Sequence, residues 1–327
     1  MSMTADQIVD RRRLRRKLTF WRVAGFLAVI ALIAVVVTLG AAQQGGTLIP
    51  QAQIARVSIS GFIAESRAEN EMLATLAKDP MVKGVIVSIN STGGSTTGGE
   101  ALYEGLRKVA AAKPTVATVG TFGASAAYMA AIASDHIVAR RTSITGSIGV
   151  LFELPQVSDL LDKIGVKIES IKSAPLKAEP NPFSPPSDAA RAVIQGVVTD
   201  TFNWFVGIVA DRRHLAHDQA LTLADGRIYT GQQALDAKLI DEIGGEDAAL
   251  AWLGGKGVDA KLPVKDWAPA SRGRGLWPLS NAALVWLAQQ TGLAPQLPAA
   301  VIDRFLPESL KLDGLLSVWQ GPSGRDE

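Results

Sequence analysis

Val82-Lys83-Gly84-Val85-Ile86-Val87-Ser88-Ile89-Asn90, with the strip Ser91-Thr92-Gly93-Gly94-Ser95 that follows it, decides the fold. The nine residues are a short apolar run of strand length. The glycine strip then leads into a helix over 97–112, with Leu102, Leu106 and Val109 on one face. The same unit recurs on either side. Upstream, Ile54–Ser60 reads as a strand ended by Gly61, and Ser66 and Glu69 have capping-box spacing for a helix reaching about Asp79, before Pro80. Downstream, Pro114 precedes a strand at Thr115–Gly120, then a small-residue helix beginning near Ser125 and a strand at His136–Ala139. The turn-rich strip 140–150, a helix over 157–163 and an extended stretch over 166–171 follow. Strands and helices alternating at this size predict an α/β fold with mostly parallel strands.

Residues 172–186 break that rhythm with Pro175, Pro180, Pro182, Pro185 and Pro186. A long helix is expected over 188–210, where Ile194, Val198, Phe202, Phe205 and Val209 line one face as core or subunit interface. Residues 226–245 supply a turn, a short helix from about Gln232 and a final strand. Beyond Gly255 the composition shifts: 271–275 (SRGRG) reads as a linker and 280–318 as amphipathic helical pieces rich in Leu, Trp and Pro.

The 327 residues carry 33 basic and 31 acidic side chains, a near balance that argues against a nucleic-acid binder. There is no cysteine, which excludes disulfides, thiol nucleophiles and thiolate metal sites. The three histidines, His136, His214 and His217, form no HExxH arrangement. Charge is uneven along the chain. Arg11, Arg12, Arg13, Arg15, Arg16, Lys17 and Arg22 face only Asp6 and Asp10 within residues 1–22, leaving 26 basic and 29 acidic residues beyond. The uncharged run Val23–Ala42 comes next, long enough as a helix to span about 30 Å, the thickness of a bilayer's hydrocarbon core. Basic residues ahead of an apolar span predict a cytoplasmic N-terminus, contact with anionic lipid, and an extracytoplasmic remainder. Gly40 and Ala42 suit a signal-peptide cleavage site, but the run exceeds the roughly 7–15 residues of such a segment, so it is read as a retained anchor. The expected organisation is a basic N-terminus (1–22), a transmembrane helix (23–42), a tether (43–53), a catalytic domain (54–255) and a C-terminal helical extension (256–327).

Four elements carry candidate chemistry. Gly93 and Gly94 bring backbone N–H groups to a cavity and can cradle a phosphate or serve an oxyanion, although the lysine of a phosphate-binding loop is missing. Ser125 stands at a strand-to-helix transition, as a nucleophile or as an ordinary N-cap. Ser147, in Thr145-Gly146-Ser147-Ile148-Gly149, is by itself a hydroxyl in a turn. Lys177, between Leu176 and Ala178, is either a solvated surface lysine or, if desolvated, a neutral base toward a serine.

Taken together these strips resemble the short form of bacterial signal peptide peptidase A, a family of membrane-anchored serine proteases, over about Ile54–Ala251. Ala124-Ser125-Ala126-Ala127-Tyr128 resembles the nucleophile strip, followed by Asp135–Ala139, then Thr145–Val150, then Lys177, 52 positions after Ser125. Gly226-Arg227-Ile228-Tyr229-Thr230-Gly231, leading to Ile243-Gly244-Gly245, is similar to the last motif. The resemblance implies a ClpP/crotonase-like fold with parallel sheet layers, a Ser–Lys dyad of Ser125 and Lys177, and Ser147 orienting the lysine. It implies an oxyanion hole from backbone N–H groups of Gly93, Gly94 and Ala126, and no metal or cofactor. It further implies cleavage of released signal peptides at the inner membrane by a homo-oligomer, an octamer, with active sites built across subunit boundaries. Two departures stand out: Ala126-Ala127 where the family has Gly-Gly, which would narrow the pocket, and Thr92 where a proline is common. Rival readings are a membrane-protein quality-control protease of the same superfamily, a catalytically silent oligomeric membrane scaffold, and a crotonase-like acyl-CoA enzyme, which an extracytoplasmic domain would separate from its substrate.

Overall fold

The computed structural model describes residues 17–28, 30, 51–269 and 316–318. Two units are distinct, divided after Gln51. In the first, residues 17–28 form helix α1, starting in the basic cluster ahead of the expected span, with Phe20, Trp21, Phe26 and Leu27 exposed. Residues 29 and 31–42 of the expected anchor lie outside the described residues.

The second unit is built on one sheet. Strand β1 (Gln53–Ile63) leads through α2 (Arg67–Lys78) to β2 (Val82–Ser95), and α3 (Thr96–Ala112) leads to β3 (Thr115–Ala124). Ser66 caps α2 by accepting the Glu69 N–H, and Ser95 caps α3 by accepting the Gly98 N–H. These crossover helices leave β1, β2 and β3 parallel, in register from Val57↔Val87 and Val87↔Ala117. Parallel strands are covered on both faces, which is why 85–89 reads as nearly continuous apolar sequence. Val85, Val87 and Ile89 join the large core beneath α2, α3 and α4 (Ala126–Ile132), whereas Ile86 turns to a second core with Ile54, Val116, Ala249 and Leu253.

The rest of the unit grows from β3, which divides its edge between two partners. Val116–Val119 pairs with β4 (His136–Ala139), and Phe122–Ala124 pairs with β5 (Ile144–Gly146), both parallel. Beyond them come α5 (Ser158–Lys163), α6 (Asp188–Arg213) and α7 (His217–Leu223), then β6 (Ile228–Thr230), α8 (Gly231–Asp236), β7 (Glu242–Ile243) and α9 (Glu246–Gly255). Strand β6 pairs antiparallel with β5, and β7 pairs parallel with β4. The chain is thus an α/β protein on a mostly parallel sheet, as the alternation of elements predicts.

Three expectations need correction. The sheet does not stop at residue 255: β8 (Val264–Trp267) adds parallel to β1, and β9 (Leu316–Val318) pairs with the end of β2. The regular elements described in the C-terminal extension are therefore strands; the amphipathic pieces expected over 280–315 lie outside the described residues. Residues 166–171 form no strand, because no edge is offered to them, and Ile171 is 98% exposed. The stripe on α6 is divided as well. Phe205 and Val209, with Val206, enter the core, while Ile194 and Val198 line an open groove with Leu151, Phe152 and Leu154. Among the described residues α6 is the one helix long and apolar enough to cross a membrane, but its C-terminal half is packed into this core.

Leu106, fully buried between α3 and the sheet, tests the core. Leu106→Ala is expected to lower stability by about 2–5 kcal/mol, read from urea unfolding followed by tryptophan fluorescence.

Candidate active site

Ser125 sits where β3 ends and α4 begins, and its backbone is held at φ 61°, ψ −124°. A residue with a β-carbon in that region costs about 1–3 kcal/mol, so neighbouring structure must enforce it. The enforcement is visible. Ala124 pairs with Gly146, and the Ser125 N–H donates to the Gly146 carbonyl at 2.9 Å. Thr145 Oγ1 donates to the Gly123 carbonyl at 2.7 Å, fixing β5 against the end of β3. On the helix side, the Ser125 carbonyl accepts the N–H groups of Tyr128 and Met129, and every residue of α4 is buried. Ser125 does not act as an N-cap: its side chain makes no capping hydrogen bond. A strand–turn–helix geometry of this kind aims a serine at the open end of the sheet in α/β-hydrolases.

The strip Thr145–Gly149 is shaped by the strip Gly226–Gly231. Strands β5 and β6 pair Thr145 with Tyr229 and Gly146 with Ile228, and the Ser147 N–H donates to the Arg227 carbonyl at 2.8 Å. Gly146 has φ 82°, and a β-carbon there would lie 2.5 Å from Tyr229 Cδ2. Only glycine lets the Tyr229 ring close over this turn. Ser147 follows at φ 49° and is nearly buried. Ser125 and Ser147 are therefore joined through Gly146, whose carbonyl binds one and whose peptide bond leads to the other.

The glycine strip lies on the other side. Strand β2 leaves β3 after the pair Ser91↔Gly123, two residues before Ser125, and continues beside β1 with Gly94 opposite Ile63. A β-carbon on Gly94 would collide with the Ile63 carbonyl at 1.9 Å. The Gly93 N–H donates to Ser91 Oγ at 3.1 Å, and Ser91 Oγ lies 2.6 Å from the Gly61 carbonyl. Of the three expected oxyanion donors, Gly93 is thus already engaged. Ala126 N–H belongs to the first turn of α4, where helical N–H groups lack intrahelical acceptors. The Ala126 methyl is buried toward α3: a β-carbon on Gly99 would sit 3.0 Å from it, so Gly99 supplies the room.

Lys177 stands apart. It occupies an exposed turn, its N–H donating to the Ala174 carbonyl at 3.0 Å, and its ammonium contacts no acceptor among the described residues. The turn is closed by an ion pair between Lys172 and Glu179, with Asn181 Nδ2 donating to Glu179 Oε1 at 3.0 Å. Ser125, Ser147, Gly93, Gly94 and Ala126 are brought around one end of the sheet; Lys177 is not docked there. Sequence reading missed the Ser91 clamp, the Tyr229 lock on Gly146 and the space left by Gly99, although Gly98-Gly99 at a helix start was a visible signal for close approach.

Because the Tyr229 lock and the positive φ both act at Gly146, Gly146→Ala is expected to distort the Ser125 turn while leaving the sheet folded. Any reaction carried by Ser125 should slow at least about tenfold, against an unchanged far-ultraviolet circular dichroism spectrum.

The profile of peptidase family S49 matches residues 107–259, and that of the Clp proteases matches 42–148. A protein of Methanocaldococcus jannaschii, provisionally named a protease, is 38% identical over 189 residues, 58% of this chain and 61% of that one. One of Synechocystis, likewise named, is 34% identical over 202 residues, 61% of this chain and 73% of that one. One of Enterococcus faecium, provisionally named signal peptide peptidase SppA, is 32% identical over 212 residues, 61% of this chain and 62% of that one. The chain thus spans about three-fifths of the first and third of these relatives. With the S49 profile running through Ser125, Ser147 and Lys177, and this identity across nearly three quarters of the Synechocystis protein, the chain belongs to peptidase family S49.

Proposed function

We propose that this chain is a membrane-anchored serine endopeptidase that degrades released signal peptides, with Ser125 as nucleophile and Lys177 as general base. The observation that carries the reading is the backbone of Ser125: a buried serine held at φ 61° between a strand and a buried helix, in a family of peptidases. In the proposed mechanism Lys177 Nζ, neutral, takes the proton from Ser125 Oγ as the oxygen attacks a peptide carbonyl. Ser147 Oγ hydrogen-bonds the lysine and orients it. The tetrahedral oxyanion accepts N–H groups of Gly94 and Ala126, and of Gly93 once it releases Ser91. Protonated Lys177 then gives its proton to the leaving amine, and water hydrolyses the acyl-enzyme by the same steps.

Lys177 reaches Ser125 on assembly. Residues 151–187 carry no buried residue, yet Leu160, Ile164, Val166, Ile168 and Ile171 are exposed along them. So much apolar surface beside the open groove on α6 calls for a partner surface, and a homo-oligomer supplies it. Burial of this segment desolvates the lysine, which a neutral base requires. An inner-membrane location, with the N-terminus in the cytoplasm and the protease domain outside, is part of this reading and is supported by the basic residues 11–17 ahead of the apolar run 23–42.

The test is cleavage of a synthetic signal peptide by the full chain in detergent, followed by mass spectrometry. Ser125→Ala and Lys177→Met are each expected to lower kcat more than about 10³-fold with assembly unchanged by sedimentation. Equal cleavage by all three proteins would remove the dyad; wild-type inactivity in a correctly assembled oligomer would favour a silent scaffold.

A further inference from the structure

Strand β8 ends opposite Val57, so from Ser58 onward the outer edge of β1 has no strand partner among the described residues. A cavity of about 280 Å³ opens there, between the end of β1 and helices α2 and α3. It falls just below the roughly 300–1,000 Å³ of sites that take a whole small ligand, so it suits a single side chain. Its walls are of two kinds. Phe62, Ile63 and Leu102 are apolar, whereas Glu65 and Glu69 bring carboxylates, and no lysine or arginine among the described residues lines it.

Glu69 lacks the partner its position offers. Capping-box spacing would turn its side chain back to the Ser66 N–H, but one half of that exchange is made, from Glu69 N–H to Ser66 Oγ at 3.3 Å. The carboxyl accepts no hydrogen bond and joins no ion pair among the described residues. Nearby Arg67 is committed to Glu71 at 2.7 Å, and both are exposed. Burial pushes the Glu69 carboxyl up from its ordinary value, with no charge beside it to offset the lost solvation. A cation that reaches it gains a charge-assisted hydrogen bond. An apolar stem ending in a positive head fits both kinds of wall at once, and that is the build of lysine and arginine.

The cavity adjoins the glycine strip. Ile63 pairs with Gly94, and its carbonyl lies so close that a β-carbon on Gly94 would stand 1.9 Å from it. Strand β1 is two places from β3, which leads into Ser125, a lateral distance of about 10 Å at the usual strand spacing. An extended peptide covers that distance in about three residues.

We propose that this cavity is a subsite for a lysine or arginine side chain of the substrate, two or three residues from the scissile bond, with Glu69 as its charge partner. The proposal rests on the reading of Ser125 as nucleophile for its register with the cut. It also deepens that reading: a signal peptide carries its basic residues ahead of its apolar run, so the cut falls where the two regions meet.

The experiment uses the full chain in detergent and peptides alike except for one residue, Lys, Met or Glu, placed in turn at each of the three positions on either side of the cut. Wild type is expected to favour Lys over Met about tenfold in kcat/KM at one of these positions. Glu69→Gln should bring that ratio near one, and Glu69→Lys should invert it toward the Glu peptide. Gln suits the third residue of a helix as Glu does, so α2 is kept. A merely structural role for Glu69 would change all peptides alike and leave the ratio where it was. In parallel, the same peptides carrying a fluorophore are titrated into Ser125→Ala and Ser125→Ala/Glu69→Gln, where affinity should show the same ratio and the same loss. A ratio near one in wild type, or one that Glu69→Gln leaves unmoved in both assays, overturns the subsite. If affinity depends on Glu69 in this way while no form of the chain cleaves peptide, the subsite holds and the assignment of Ser125 as nucleophile falls.

Discussion

The hydrogen bond from Ser125 N–H to the Gly146 carbonyl is the point on which the site turns. It joins the end of β3 to β5 at the residue where the chain reverses into α4. One such bond contributes about 0.5–1.5 kcal/mol net, less than or comparable to the roughly 1–3 kcal/mol cost of the serine's backbone. The strain is therefore carried by more than this bond. The ladder from Phe122 to Ala124, the Thr145 hydroxyl on the Gly123 carbonyl and the wholly buried helix that follows share it. That sharing depends on β3 dividing its edge between β4 and β5, because a strand paired along its length with one neighbour would leave no separate β5 beneath the serine. The split sheet and the raised serine are one feature.

Much of this was legible in the sequence where a pattern has a single physical cause. Val82–Asn90 reads as a strand because its apolar run is buried on both faces, and Ser66 stands as a cap ahead of a helix that does form. His136–Ala139 is a strand at the residues expected. What could not be read was pairing between distant segments. Val264–Trp267 has no local mark of a strand; it becomes one because β1 offers an edge. Residues 166–171 have a better strand pattern and form none, for want of such an edge. β-structure is decided by partners, and partners are not a local property. The site divides the same way. Glycine strips and a serine at a strand end were visible, whereas the reason that residues 145–149 and 226–231 accompany each other is a tyrosine ring resting on a glycine, seen only once β5 and β6 are paired.

The substitution Ala126-Ala127 shows how a departure can be absorbed away from the place it is expected to matter. Expectation placed the added methyls in the substrate pocket. The Ala126 methyl faces α3 instead, against Gly99, and both alanines are fully buried. Gly98 and Gly99 allow α3 to approach: a β-carbon at Gly98 would meet Ala64 at 2.8 Å, and one at Gly99 would meet Met129 Sδ at 2.6 Å. Volume added on α4 is matched by volume withheld on α3, and packing density in a core makes that exchange necessary.

The remaining asymmetry is between a rigidly held Ser125 and a loosely supported Lys177. Ser125 is buried beside Ala126 and Ala127 of the large core, whereas residues 151–187 carry no buried residue and are tied by local interactions, among them the Lys172–Glu179 pair and the hydrogen bonds of Asn181 to the N–H groups of Phe183 and Ser184. Local opening of such a segment costs far less than unfolding the core. On the proposed reading, a single chain therefore holds a prepared serine without its base, and the energy that docks Lys177 comes from burying the apolar residues of its own segment against another subunit. A protease that is complete only when assembled at the membrane is inactive as a dispersed chain, and the same apolar segment that makes the lone chain incomplete provides the driving force for completing it.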